Sequence, residues 1–375
     1  MTAKPGAGAD VTVFIEPPSH HFLGDRLFDS NAVPFAGDQL MAPYTHLRDA
    51  LHARGIAVHT ADALPVTPDG TTKLYVAIGN LSRYHAVARR PDVILSALFT
   101  MECPAFDPAF YEKIARASKY FRRLFSWSDG ESLAPYTGEQ LRPERFFWPQ
   151  SFDRVHEPLW QRADRRLLVM MNGNKVPARN LATLHVERLR AVEFFSRTDD
   201  IDLYGREWDQ PPYRVGGRQL PYTVRRVERS VRSIWERIHP DPLLSAARRA
   251  WRGPAKSKSE TLSGYKFAIC FENMDLTGWI TEKLFDCFFT GTVPVYLGAP
   301  DIQNYVWPSC YIDRRQFGSY AELRQHLLAM PDPTWRAYRE AARAYLESPD
   351  FDRFRKETFA GLFLRIIAED TAPVL

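Results

Sequence analysis

Residues 265–300, YKFAICFENMDLTGWITEKLFDCFFTGTVPVYLGAP, constrain the fold more than any other run of the chain. Residues 266–271 form a near-continuous apolar stretch of strand length, and 293–297 (VPVYL) form another. Between them lie a loop containing Gly278 and a helical pattern over 281–289. Apolar runs of this kind suit strands covered on both faces, and their alternation with helices predicts a doubly wound α/β domain.

The alternation is present from the start of the chain. Residues 11–16 (VTVFIE) predict a strand, 44–54 a helix with Leu47, Ala50 and Leu51 on one face, and 56–59, 74–78 and 92–98 further strands. After the polar stretch 154–165 the pattern restarts. A strand is expected at 167–171, a helix at 181–195 with Leu184, Arg188, Ala191 and Phe195 at helical spacing, and a strand at 202–204 closed by Gly205. The 375 residues exceed what one core usually serves. The expected organisation is therefore an N-terminal α/β domain over 1–160, a second over 161–352, and a C-terminal helix within 353–375.

Charge is spread unevenly. The net charge is only +4, yet residues 211–260 hold twelve Arg or Lys against four Asp or Glu. Pro211, Pro212, Gly216 and Gly217 mark a loop there, after which Val224, Val227, Val231, Ile234, Trp235 and Ile238 recur at helical spacing among arginines. This basic amphipathic helix is expected to pack its apolar side on the domain, with a membrane surface or an anionic glycan as the other reading. No recognised nucleic-acid-binding module is visible, so no nucleic-acid partner is expected. Cys103, Cys270, Cys287 and Cys310 form no C-x-x-C pair or zinc-spaced cluster, and the apolar settings of Cys270 and Cys287 suit reduced thiols. The N-terminal MTAKPGAGAD lacks an apolar signal region and no run reaches membrane-spanning length. The expected location is cytoplasmic, with peripheral contact at the inner membrane as a variant.

Chemistry concentrates at Thr281, Glu282 and Lys283, which open a helix after a buried strand and a glycine loop. A helix N-terminus offers free N–H groups and partial positive charge to phosphate. Lys283 adds a cation and Glu282 two acceptor oxygens suited to a ribose diol. Thr281 and Glu282 are equally suited to capping the helix and favouring its first turn.

The wider pattern, YKF-x3-FEN, then GWITEKLFD, then GTVPVYLGAP, resembles the donor-site signature of the α1,3-fucosyltransferases, glycosyltransferase family 10. LFTMECPAF (98–106), FSWSD (125–129), the run from Met171 through NGNK to ERLRAVEFF, and DLYGREW (202–208) extend the resemblance; the basic stretch 211–263 has no counterpart in it. The resemblance implies a GT-B fold, two Rossmann-like domains facing each other across a cleft, with the donor held mainly by the second. It also implies GDP-β-L-fucose as donor and inverting transfer to a glycan hydroxyl, of α1,3 type. No cofactor or metal is then needed, and the acceptor would be a bacterial surface polysaccharide such as lipopolysaccharide, or its precursor.

Residue roles follow from the same resemblance. Glu102 matches the general base, Arg188 and Lys283 the diphosphate cations, and Glu282 the ribose ligand. Asn273 would contact donor sugar or phosphate, and Tyr265, Lys266 and Thr281 would border the nucleotide pocket. Trp279 stands where the family has tyrosine, and Met274 where a small polar residue is usual. An indole offers only an N–H donor, so both changes bear on donor choice. Two other readings remain: the same fold using another GDP-deoxyhexose or GDP-heptose, and a non-catalytic GDP-sugar-binding protein. Asp200-Ile201-Asp202 forms a D-x-D, but its acids straddle the start of a strand, unlike a metal-binding pair.

Overall fold

The computed structural model describes residues 11–32, 39–67, 70–177, 181–215 and 222–372. The N-terminal decapeptide, Gly216 and Gly217 lie outside the described residues. The chain divides into two compact units, one of residues 1–104, 108–151 and 352–375, the other of 105–107 and 152–351.

The first unit is built on a parallel sheet of β1 (Val11–Glu16), β2 (Ala57–Thr60), β3 (Thr72–Ile78), β4 (Val93–Phe99), β5 (Arg123–Ser126) and β6 (Glu144–Arg145), in the order β2-β1-β3-β4-β5-β6. Successive side chains point to opposite faces, so each apolar strand feeds two cores. Val13, Ile15, Leu74 and Val76 pack under α1 (Ala42–His52), through Leu47 and Leu51. Phe14, Tyr75, Ala77 and Leu98 pack on the other side with Phe110, Tyr111 and Ile114 of α2 (Pro108–Ser118). The C-terminal helix, Lys356–Thr371, does not stand by itself. Its Phe359, Phe363, Ile366 and Ile367 join the α1 layer, and Asp370 accepts from Arg122 and Arg123 at 2.9 and 2.8 Å.

The second unit carries the parallel strands β7 (Arg166–Met171), β9 (Ile201–Tyr204), β11 (Tyr265–Phe271), β12 (Val293–Leu297) and β13 (Ile312–Asp313), in the order β13-β12-β11-β7-β9. The short strands β8 (Lys175–Pro177) and β10 (Tyr213–Val215) pair separately. One face of the larger sheet, with Leu168, Phe267, Ile269 and Val295, is covered by α3 (His185–Ser196) through Leu189, Val192 and Phe195.

The basic helix, α4 (Tyr222–Ile238), corrects an expectation. Its apolar stripe does not pack on the domain: Val224, Val227, Val231, Ile234, Trp235 and Ile238 are 47–66% exposed. The polar side faces the protein instead. Arg229 donates to Gln210 at 2.7 Å, and Glu236 accepts from Arg248 of α5 (Pro242–Ala250) at 2.6 Å. Two further helices matter below, α6 (Lys258–Leu262) and α7 (Glu282–Thr290).

Candidate functional site

Ligand sites in parallel sheets form beyond the carboxyl ends of the strands. In the second unit that edge is organised by Glu272, the residue after β11, which is fully buried and whose N–H donates to Leu297 O at 2.8 Å. A buried carboxylate persists only with partners, and this one has several. It accepts from Thr281 N at 2.8 Å, from Thr281 Oγ1 at 2.8 and 3.0 Å, and from Lys283 Nζ at 3.1 Å. Thr281 occupies the N-cap position of α7, but its hydroxyl serves Glu272 rather than the helix N–H groups. One carboxylate thus ties the strand end to the helix start and fixes the lysine. Gly298 completes the fit: a Cβ there would lie 2.5 Å from Glu272 Cγ and 2.6 Å from Tyr296 Oη. Between strand and helix, Gly278 turns the loop at φ +72° and its N–H donates to Asp301 Oδ1 at 2.8 Å.

Arg188, on α3, is buried and ties two strand ends together. Its guanidinium donates to Phe271 O at 2.6 and 3.0 Å, to Asn273 Oδ1 at 2.9 Å and to Asn172 Oδ1, beyond β7, at 3.4 Å. Lys258 of α6 pairs with Asp286 and, at 3.6 Å, with Glu282. Burial works against the Lys258 ammonium, but Asp286 and Glu282 outweigh it and raise its pKa. Desolvation likewise opposes Glu282, yet Lys283 and then Lys258 hold its carboxyl well below the usual range. Asn172, Arg188, Lys258 and Lys283 line one pocket with Cys270 and Cys287. Arg188, Lys258 and Lys283 thus bring three cations to one pocket, the two lysines paired with the carboxylates of Glu272, Glu282 and Asp286.

Residues 225–345 match the model of the glycosyltransferase family 10 (fucosyltransferase) C-terminal domain. The match takes in about a third of the chain. A 67-residue segment is 39% identical to an α-(1,3)-fucosyltransferase of Helicobacter pylori, covering 18% of this chain and 14% of that protein. A 71-residue segment is 39% identical to an α-(1,4)-fucosyltransferase of Arabidopsis thaliana, covering 19% of this chain and 18% of that one. The chain therefore spans less than a fifth of the length of these relatives. Among solved structures, a UDP-forming α,α-trehalose-phosphate synthase of Burkholderia xenovorans aligns over 97% of this chain and 100% of its own at TM-score 0.51 and 9% identity. With its two parallel-sheet units, the chain has the GT-B fold class.

The matched segment contains Lys258, Glu272, Asn273, Thr281, Glu282 and Lys283, while Asn172 and Arg188 precede it. Of the residues singled out in the sequence, Arg188, Asn273, Thr281, Glu282 and Lys283 gather at this edge. Tyr265 and Lys266 do not. They begin β11, six residues and about 20 Å of strand from its carboxyl end. Tyr265 donates to Asp202 at 2.6 Å, and Lys266 pairs with Asp332 at 3.2 Å and lies over the Trp335 ring. Trp279 is a buried side chain, and Met274, also buried, accepts from Ala105 N at 3.3 Å through its sulfur. Asp202 of the D-x-D is buried and bound by Arg252 at 2.5 Å, and Asp200 is bound by Arg324 at 2.5 Å. Among the described residues no group of three or more His, Cys, Asp or Glu is placed to hold a metal.

Sequence reasoning passed over Glu272 and Lys258. The first stood inside the quoted FEN tripeptide; the second was hidden among the cations of 211–260. It also passed over His185, buried one turn before Arg188, whose Nδ1 lacks a hydrogen-bond partner. Burial, then Arg188, push its pKa down to about 4 from 6.5. The unfolded chain therefore takes up a proton below pH 6.5 that the folded chain refuses until about pH 4. Stability should fall by about 2–3 kcal/mol between pH 7.5 and 4.5 from this group. Urea denaturation at both pH values should show that loss cut by this amount in His185→Gln; equal pH slopes would refute it.

In the first unit, Glu102 follows β4, as expected for a residue at a strand's carboxyl end. It is half-buried; its Oε1 accepts from Cys103 N at 2.9 Å and its carbonyl from Tyr111 Oη at 2.7 Å. The same edge holds Glu16, which ends β1, is buried, and accepts from Tyr75, Asn80, Ser82 and Arg83 at 3.1–3.4 Å. Burial raises its pKa despite Arg83. In the sequence Glu16 looked like nothing more than the last residue of VTVFIE.

Proposed function

We propose that the protein is an inverting glycosyltransferase that moves L-fucose from GDP-β-L-fucose to a glycan hydroxyl, forming an α linkage of the 1,3 type. The observation that carries the reading is the ring of Arg188, Lys258 and Lys283 at the carboxyl edge of the second sheet, inside or beside the segment that matches the family 10 model. In this reading the acceptor oxygen attacks C1 of fucose while Glu102 takes its proton. The C1–O bond to the β-phosphate breaks with its electron pair leaving on GDP, and the three cations stabilise that charge. Glu282 receives the ribose hydroxyls and Asn273 orients the donor. Charge stabilisation by side chains leaves no step that needs a divalent cation. The acceptor proposed is a bacterial surface polysaccharide, such as lipopolysaccharide, or its precursor, met at the cytoplasmic side.

Trp279 in place of tyrosine favours a second reading, in which another GDP-deoxyhexose or a GDP-heptose is the donor. A panel of radiolabelled GDP-sugars tests both. Transfer or slow hydrolysis of GDP-fucose, unchanged by EDTA, is the expected result. Turnover of a different GDP-sugar alone would replace the donor assignment, and GDP binding without turnover of any would make the protein a non-catalytic binder.

A further inference from the structure

Helix α4 is mounted the wrong way round for a globular protein. Its intermediate-exposure positions are Arg229, Arg232, Ser233 and Glu236, at the i, i+3, i+4, i+7 spacing of one helical face. That polar face is bonded to the body of the unit: Arg229 to Gln210 at 2.7 Å, Arg232 to Pro212 O at 3.4 Å, and Glu236 to Arg248 at 2.6 Å. Arg248 in turn donates to Trp208 O at 3.1 Å, anchoring the contact in the core. The opposite face presents Val224, Val227, Val231, Ile234, Trp235 and Ile238 to solvent. Six large apolar side chains in one stripe form a patch that ordinary soluble surfaces avoid.

We propose that this stripe lies in the headgroup region of an anionic lipid bilayer, with the helix axis parallel to the membrane plane. Charge decides between this and an apolar protein partner. The helix carries five arginines against two glutamates. At 100° per residue, the exposed Arg226 and Arg237 flank one side of the stripe, and Glu228 borders the other before the body-facing Arg232. Arginines so placed can bury their stems and keep their heads at the phosphates, and a tryptophan is suited to the same layer. The helix has 17 residues, and no described helix is long and apolar enough to cross a membrane, so the contact is one of lying on the surface. The polar face remains occupied by the protein body, so docking requires no rearrangement of the Arg229 and Glu236 contacts.

The test uses the full chain and vesicles of phosphatidylcholine alone or equimolar with phosphatidylglycerol, read by co-sedimentation. Partition onto the anionic vesicles should be at least about tenfold stronger than onto neutral ones, from two or more arginines near the surface. It should weaken as salt rises. The variant Val231→Glu/Ile234→Glu/Trp235→Glu should lose vesicle binding while keeping its melting temperature, since these side chains touch no core. Retained binding by that variant, or equal binding to neutral and anionic vesicles, overturns the proposal. So does vesicle-independent dimerisation by light scattering that the variant abolishes, or binding to a soluble anionic polysaccharide in place of vesicles. Should the triple variant fail to fold, Trp235→Glu alone carries the same readout.

Discussion

Glu272→Gln is expected to destabilise the protein by about 3–5 kcal/mol, the usual cost of removing one member of a buried ion pair. The carboxylate is fully buried and binds Thr281 and Lys283 at once, so the amide takes from a largely buried ammonium the carboxylate it is hydrogen-bonded to. The strand end and the start of α7 also lose their common tether. The paired change Glu272→Met/Lys283→Met removes both charges and should recover most of the lost stability. It should not recover GDP binding, because Lys283 is gone from the cation ring. Urea denaturation together with calorimetric titration of GDP separates the two effects. A Glu272→Gln cost below about 1 kcal/mol would show the pair to be an ordinary exposed one, and full GDP affinity in the double variant would remove Lys283 from the donor site.

Glu102→Gln should lower kcat by about 10²–10⁴-fold, the range for loss of a general base, while GDP affinity stays unchanged. The asymmetry follows from the division of labour: Glu102 belongs to the first unit, and the cation ring to the second. Gln preserves the shape of the side chain and the acceptor oxygen that meets Cys103 N–H, so folding should be unaffected. Steady-state transfer rates and GDP titrations on the same preparation give the answer. If kcat stays within about twofold, the base lies elsewhere, and Glu16 becomes the carboxylate to substitute next.

The strands were legible because burial on both sheet faces demands continuous apolar runs. VPVYL became Val293–Leu297 without shift, and the strands expected at 266–271 and 74–78 each began one or two residues earlier. The start of α7 was legible too, because a glycine loop followed by Thr-Glu-Lys is a local pattern. What the chain's linear order determined, then, was its class, two α/β units, and the neighbourhood of its site.

Tertiary structure decided the partners. Nothing local says that Lys283 points to Glu272, eleven positions earlier, or that Gly298 must lack a Cβ to admit that carboxylate. Tyr265 and Lys266 share a motif with Glu272 and Asn273, but an extended strand carries them to the far end of the sheet. The orientation of α4 is the clearest case. Its spacing reveals two unlike faces, yet periodicity is the same whichever face meets the body. Only the positions of Gln210, Pro212 and Arg248, set by distant parts of the fold, turn the polar side inward and leave the apolar stripe uncovered.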